Sequence, residues 1–145
     1  MTTEEIVYWN QRQECMPRAN LEQYQLQTLR KRLAHVHERS PFYRRKLDAA
    51  GIQPDEIHSM ADVRRIPFTD KEELRLSQAN HPPWGDFGCI TPKQAVRVFQ
   101  TSGTTGRPVR IMLSREDWHQ TFYEQFMHFR CGFGLIEDDV LFVPF

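Results

Sequence analysis

Between residues 99 and 113 the chain reads FQTSGTTGRPVRIML. Six of the seven residues from Thr101 to Arg107 are Gly, Ser or Thr, Pro108 follows, and apolar residues flank both sides. Gly103 and Gly106 permit positive φ and close backbone approach. Successive backbone N–H groups in such a bend form a concave anion nest. Thr101, Ser102, Thr104 and Thr105 add hydroxyl donors around it. Arg107 adds a cation able to reach an oxyanion. This chemistry suits a polyphosphate. Each hydrogen bond to a charged group contributes roughly 1.5–3 kcal/mol, so about four or five would hold a triphosphate tail.

The loop is not a Walker A motif, which needs Lys followed by Ser or Thr and opens into a helix. Here Arg107-Pro108 leads into VRIML, so no helix dipole points at the bend. The competing reading is a hairpin connection that is merely polar. A bare GTTG would fit that reading; the full TSGTTGRP between two strand patterns is more specific.

The elements that must position this loop follow from periodicity and punctuation. AVRVFQ (95–100) alternates Val96 and Val98 against Arg97, and VRIML (109–113) alternates Val109, Ile111 and Leu113 against Arg110 and Met112. Both read as strands with one face more buried. Upstream the chain reads helical. Thr2 and Glu5 offer a capping box, Pro17 interrupts, and Asn20 precedes a long amphipathic segment with Leu26, Leu29, Leu33 and Val36 on one stripe. Ser40-Pro41 predicts a helix start and Gly51 its stop. Thr69 with Glu72 predicts another start, and HPPWGDFG (81–88) a break.

Downstream, Ser114 with Asp117 caps a helix whose stripe is Trp118, Phe122, Phe126, Phe129 and Phe133. That aromatic face must be covered by something. Gly132 and Gly134 end the helix. DVLFVPF (139–145) reads as a strand buried on both faces. Strand, helix and buried strand predict a βαβ unit and the opening of an α/β domain. One such unit cannot cover its own sheet, so residues 86–145 are expected to begin a larger domain, completed in a longer chain or by a separate one. The alternative is a small α+β domain whose N-terminal helices cover the sheet.

Composition removes several function classes. The 145 residues are 39% hydrophobic and 12% aromatic, too apolar for disorder. With 19 basic and 19 acidic side chains the formal net charge is zero, so no bulk electrostatic argument favours nucleic acid or a membrane surface. No apolar run approaches the length of a membrane helix, and MTTEEIVYWN lacks the layout of a secretion signal. Three scattered cysteines, Cys15, Cys89 and Cys131, point to a reduced cytoplasmic chain without a disulfide framework or metal site.

TSGTTGRP resembles the phosphate-binding signature of the acyl-adenylate-forming (AMP-binding) superfamily. SPFYRRKLDAAGI and IPFTDKEELR, with their spacing to the loop, resemble its phenylacetate–coenzyme A ligase branch. The likeness runs from about Tyr8 to Phe145. It implies an α/β fold: residues 1–85 as an N-terminal helical region, and 86–145 as the incomplete start of the large AMP-binding domain, with the phosphate loop at 101–108.

The resemblance also implies two half-reactions. A carboxylate attacks the α-phosphate of ATP to give an acyl-adenylate and pyrophosphate, and the coenzyme A thiolate then displaces AMP. Thr101, Ser102, Gly103, Thr104, Thr105 and Gly106 would grip the β- and γ-phosphates, with Mg2+ bridging them. Many superfamily members carry Lys after the Pro; this chain has Val109, while Arg107 before the Pro matches the phenylacetate branch. The family's later motifs and most of its acyl pocket lie beyond residue 145, so the catalytic residues are not assigned and the isolated chain is expected not to complete catalysis.

Other residues read as structural. His35 and His37 face different directions on one helix, and His119 and His128 have no catalytic context. The basic stretch Arg30, Lys31, Arg32, Arg39, Arg44, Arg45, Lys46 reads as a solvated helix face, with coenzyme A phosphates, nucleic acid or an acidic partner as the competing use. Two functions remain: the N-terminal part of an AMP-forming aryl-acid–coenzyme A ligase, or a non-catalytic interaction module or half of a split ligase acting through a partner chain. A homo-oligomer, or pairing with a missing C-terminal chain, is compatible with either.

Overall fold

The computed structural model describes residues 8–102, 106–135, 138–140 and 142. The first capping box, Thr2 with Glu5, lies outside them. A short helix α1 (Gln11–Glu14) is capped by Asn10, whose side chain accepts from the Gln13 amide. Helix α2 (Arg18–Arg39) starts right after Pro17, three residues ahead of the start after Asn20 that the sequence suggests. Proline at this boundary loses no helical hydrogen bond, because the amides there have no intrahelical acceptor.

Helix α3 (Pro41–Ala49) has the expected ends. Ser40 is buried, and its Oγ accepts from the Tyr43 amide at 3.2 Å, with Pro41 in the first turn. At the far end Ile52 N–H donates to Leu47 O and Gly51 N–H to Asp48 O, both at 3.0 Å. These two bonds close a Schellman motif, which needs the left-handed backbone that Gly51 adopts at φ +63°. The motif also puts Leu47 and Ile52 into the core, where they meet Leu33 and Ile57, flanked by Leu26, Leu29, Val36 and Ile66.

Helix α4 (Lys71–Asn80) departs from the sequence reading by one residue. Its N-cap is Asp70, reciprocally bonded with Glu73, rather than Thr69 with Glu72. Either register offers a capping box. The observed one also places Glu73 on Lys46, an ion pair that ties α3 to α4.

The segment 81–88 folds around Asp86. Its carboxylate accepts from Ser77 Oγ (2.7 Å) and pairs with Arg45 (2.6 Å). Its carbonyl accepts from Ser40 Oγ and from the Phe42 amide, each at 3.2 Å. One residue thus joins the start of α3 to the middle of α4.

Strands β1 (Ala95–Gln100) and β2 (Arg110–Ser114) form an antiparallel two-stranded sheet with Gln100 opposite Arg110 and Phe99 opposite Ile111. The register slips between Ala95 and Arg97, as at a β-bulge. The expected burial of one face is not realised along β1, where Val96, Val98 and Phe99 are exposed. Burial gathers instead at Val109, immediately before β2.

A helix, α5, covers residues 115–132 and includes a π-helical stretch, Trp118–Tyr123. Ser114 and Asp117 form the expected capping box. The C-terminus repeats the bonding seen after α3, with Leu135 N–H on Arg130 O and Gly134 N–H on Cys131 O. Residues around α1 fold back onto α5: Trp9 Nε1 donates to Glu124 at 2.7 Å, and His128 lies 3.1 Å from Glu14. Phe99 of β1 stacks with Phe122 at 5.2 Å and Trp118 at 6.3 Å, and Arg97 sits over Trp118. The rest of the aromatic stripe is uncovered, with Phe126, Phe129 and Phe133 exposed. Of the apolar run 139–145, residues 141 and 143–145 lie outside the described residues, and Val140 and Phe142 are exposed.

Candidate functional site

The base of the Gly–Thr loop is closed by Thr101. Its N–H donates to Val109 O at 3.0 Å, and its Oγ1 accepts from the Val109 N–H at 3.1 Å. The main-chain pairing of β1 and β2 thereby extends one step beyond Gln100 and Arg110. Val109 is 1% exposed, so this closure is anchored in the interior. The Thr101 hydroxyl accepts here and keeps its proton for donation. Ser102 leaves β1 exposed, and Gly106 and Arg107 re-enter on the other side, also exposed. Gly103, Thr104 and Thr105 lie outside the described residues.

The returning arm rests on α4. Arg75 Nε donates to the carbonyl of Arg107 at 3.0 Å, while its Nη1 pairs with Glu72 at 3.1 Å. The Arg75 guanidinium stands 3.5–3.6 Å from where a Cβ on Gly106 would be, and Gly106 has φ +145°. One turn further along α4, the Gln78 side chain bonds both main-chain groups of Arg110. Its Nε2 donates to Arg110 O at 2.9 Å and its Oε1 accepts from Arg110 N–H at 3.2 Å. Between helix and loop arm lies a cavity of about 350 Å³ bordered by Arg75, Gln78, Pro82, Arg107, Pro108 and Arg110. Neither Arg107 nor Arg110 forms an ion pair among the described residues.

Arg75 and Gln78 are not singled out by the sequence. Their spacing of three places them on one helix face. A polar i, i+3 pair looks the same whether it faces solvent or a neighbouring main chain, so the sequence carries no signal that separates the two.

The remaining sequence-level candidates resolve into local roles. His37 Nε2 is 2.8 Å from Asp48, while His35 and His119 are exposed. From the basic stretch, Arg44 Nε donates to His37 O at 2.8 Å and its Nη2 to Glu38 O. These are carbonyls of the last turn of α2, which lack helical partners. Arg45 and Lys46 hold Asp86 and Glu73. Cys89 is half-buried, and burial first, then the nearby Asp117 charge, pushes its thiol up, away from the reactive thiolate. Among the described residues no group of three or more His, Cys, Asp or Glu could hold a metal ion.

No family model matches the chain. Its sequence is similar to the phenylacetate-coenzyme A ligase of Thermus thermophilus, with 40% identity over 104 residues that make up 72% of this chain and 22% of that one. The phenylacetate-coenzyme A ligase of Escherichia coli is 38% identical over 97 residues, 67% of this chain and 21% of that one. Among solved structures, an open conformation of 2-hydroxyisobutyryl-CoA ligase in complex with 2-HIB-AMP and CoA superposes with a TM-score of 0.82 at 34% identity. The match covers 93% of this chain and 30% of that one. The chain therefore spans about a fifth of the length of the curated relatives it matches. By sequence and by fold it corresponds to the N-terminal portion of a phenylacetate–coenzyme A ligase-like protein.

Proposed function

We propose that the chain carries the ATP-phosphate grip of an AMP-forming acid–coenzyme A ligase. The observation that carries this reading is the closure of the loop base by Thr101 and Val109, which leaves Ser102, Gly106 and Arg107 exposed at its mouth. Thr101, Ser102, Gly103, Thr104, Thr105 and Gly106 take the β- and γ-phosphates through amides and hydroxyls, and Arg107 adds charge. Residues 1–85 serve as the helical support and 86–145 as the start of the nucleotide-binding domain.

In the first half-reaction the loop's task is to bind and orient. It fixes the leaving pyrophosphate while a carboxylate attacks the α-phosphate, and its donors stabilise the charge that builds on the departing oxygens. The described loop residues offer hydroxyls, amides and a cation rather than a carboxylate set, which suits phosphate oxygens. Mg2+, when bound, would offset the charge of the phosphates. Coenzyme A enters in the second half-reaction, for which this chain's residues are assigned no step. The solved relatives with bound 2-HIB-AMP and CoA support the substrate classes, a small carboxylic acid, ATP and coenzyme A. Three free cysteines fit a reducing, cytoplasmic setting, and no described helix is long and apolar enough to cross a membrane.

Calorimetric titration of Mg–ATP into the chain and into the Thr104→Ala, Thr105→Ala double variant tests the grip. The expected result is a loss of affinity of at least tenfold, as for two removed hydrogen bonds to a charged group. Equal affinity in both proteins would sink the reading.

One observation favours a second reading, in which the chain works through a partner. Phe126 and Phe129 on α5, with Phe133 just past its end, are uncovered apolar side chains. The occupant would be the rest of a ligase, in the same chain or a second one, or another copy.

A further inference from the structure

We propose that α4 is a working part of the phosphate site and that Arg75 and Gln78 are positioning residues for the loop's returning arm. The inference rests on the phosphate-grip reading and adds to it which residues hold the grip in shape.

A polyphosphate site made of backbone amides is only as good as the placement of those amides. The loop enters from β1, where sheet pairing and Thr101 fix it. On the way out no third strand lies beside Arg110 among the described residues. An unpaired strand edge leaves its N–H and C=O groups without partners. The Gln78 carboxamide takes both groups of Arg110, at 3.2 and 2.9 Å, as the main chain of a neighbouring strand would. A third contact, from Nε2 to Trp84 O at 3.4 Å, holds the amide in that orientation. Arg75 fixes the arm three residues earlier, at the Arg107 carbonyl. Glu72 holds the guanidinium from the other side, and the side chain is only 15% exposed.

Gly106 completes the arrangement. The side of Gly106 where a Cβ would stand faces the Arg75 guanidinium, whose atoms lie 3.5–3.6 Å from that site. The Arg75 charge therefore sits directly behind the last glycine of the loop. Two side chains one helical turn apart thus set both the position of the arm and the charge beneath it. Lys at position 75 would keep a charge but lose the fork that reaches Arg107 and Glu72 together.

The test compares the unsubstituted chain with Arg75→Gln, Arg75→Lys and Gln78→Leu. Amide hydrogen exchange is read at Gly106, Arg107 and Arg110 without ligand, and Mg–ATP affinity is read by calorimetry. Thermal unfolding and far-UV dichroism report whether each variant is folded. The expected result is faster exchange at Arg110 in Gln78→Leu and at Gly106 and Arg107 in Arg75→Gln. Affinity should fall about tenfold in each, the loss of one hydrogen bond of this class, with Arg75→Lys between Arg75→Gln and the unsubstituted chain. Unchanged exchange, or unchanged affinity in folded variants while Thr104→Ala with Thr105→Ala weakens binding, overturns the inference alone. Absence of Mg–ATP binding by the unsubstituted chain removes the phosphate reading, and this inference with it.

Discussion

Ser77 and Asp86 exchange hydrogen bonds in both directions: Ser77 Oγ donates to Asp86 Oδ1 at 2.7 Å and accepts from the Asp86 amide at 3.0 Å. Ser77 lies on α4 one residue before Gln78, so this pair anchors the helix that supports the loop. Through Arg45 and Ser40 the same aspartate reaches α3.

Asp86 is therefore expected to carry an acid-sensitive share of stability. Burial pushes its carboxyl up, but the Ser77 hydroxyl and Arg45 more than reverse this and hold it below the ordinary carboxylate value. A folded-state value below the unfolded one means that the contribution is full above the unfolded carboxylate range, near pH 4, and is lost as pH falls from there through the depressed folded-state value. Asp86→Asn should cost about 1–3 kcal/mol at neutral pH, and its denaturation profile should flatten on the acid side. A variant with the original acid limb would show that the carboxylate does not drive it.

The α3 terminus gives a backbone prediction free of side-chain effects. Nothing lies within 4 Å of a Cβ added at Gly51, and its φ is +63°. Gly51→Ala is expected to destabilise by about 1–2 kcal/mol through the left-handed backbone alone. Gly51→Asn, which tolerates that conformation better, should lose less. Equal losses in urea unfolding would argue for a steric cause.

Thr101 should matter through its hydroxyl and not through its size. Thr101→Val keeps the shape and removes the acceptor of the Val109 amide. The expected outcome is faster exchange at the Val109 amide and weaker Mg–ATP binding, with Thr101→Ser restoring both. If Val binds as well as Thr, the closure of the loop base plays no part in the grip.

What was legible in the chain follows from how local each cause is. Ser40 with Pro41, Gly51, and Ser114 with Asp117 declare themselves because cap and partner lie within three or four residues. The α4 cap sits one position from its expected place because two boxes compete locally, and the observed register is the one that brings Glu73 to Lys46, 27 residues away in sequence. Arg75 and Gln78 meet an arm 32 residues further on, and a helix stripe carries no mark of so distant a partner. The phosphate grip proposed for the loop rests on residue types alone, because a nest with hydroxyls around it needs only Gly, Ser and Thr in sequence. The burial of β1 was not, since it depends on which surfaces meet its faces.

The aromatic face of α5 yields the last prediction. Phe99, Trp118 and Phe122 stack together, but Phe129 and Phe133, 4.2 Å apart, are 52% and 69% exposed. Val140 and Phe142 add further apolar surface nearby in sequence. Adjoining apolar surface of this kind is held out of water only by another surface. The chain by itself should therefore bind a hydrophobic dye such as ANS and self-associate with rising concentration. Phe129→Ser with Phe133→Ser should lower both dye fluorescence and the sedimentation-average mass. Its thermal midpoint should stay within a few degrees, because the removed rings contribute little burial. A monodisperse chain that ignores the dye would show that this face needs no cover, and would remove the observation behind the partner reading.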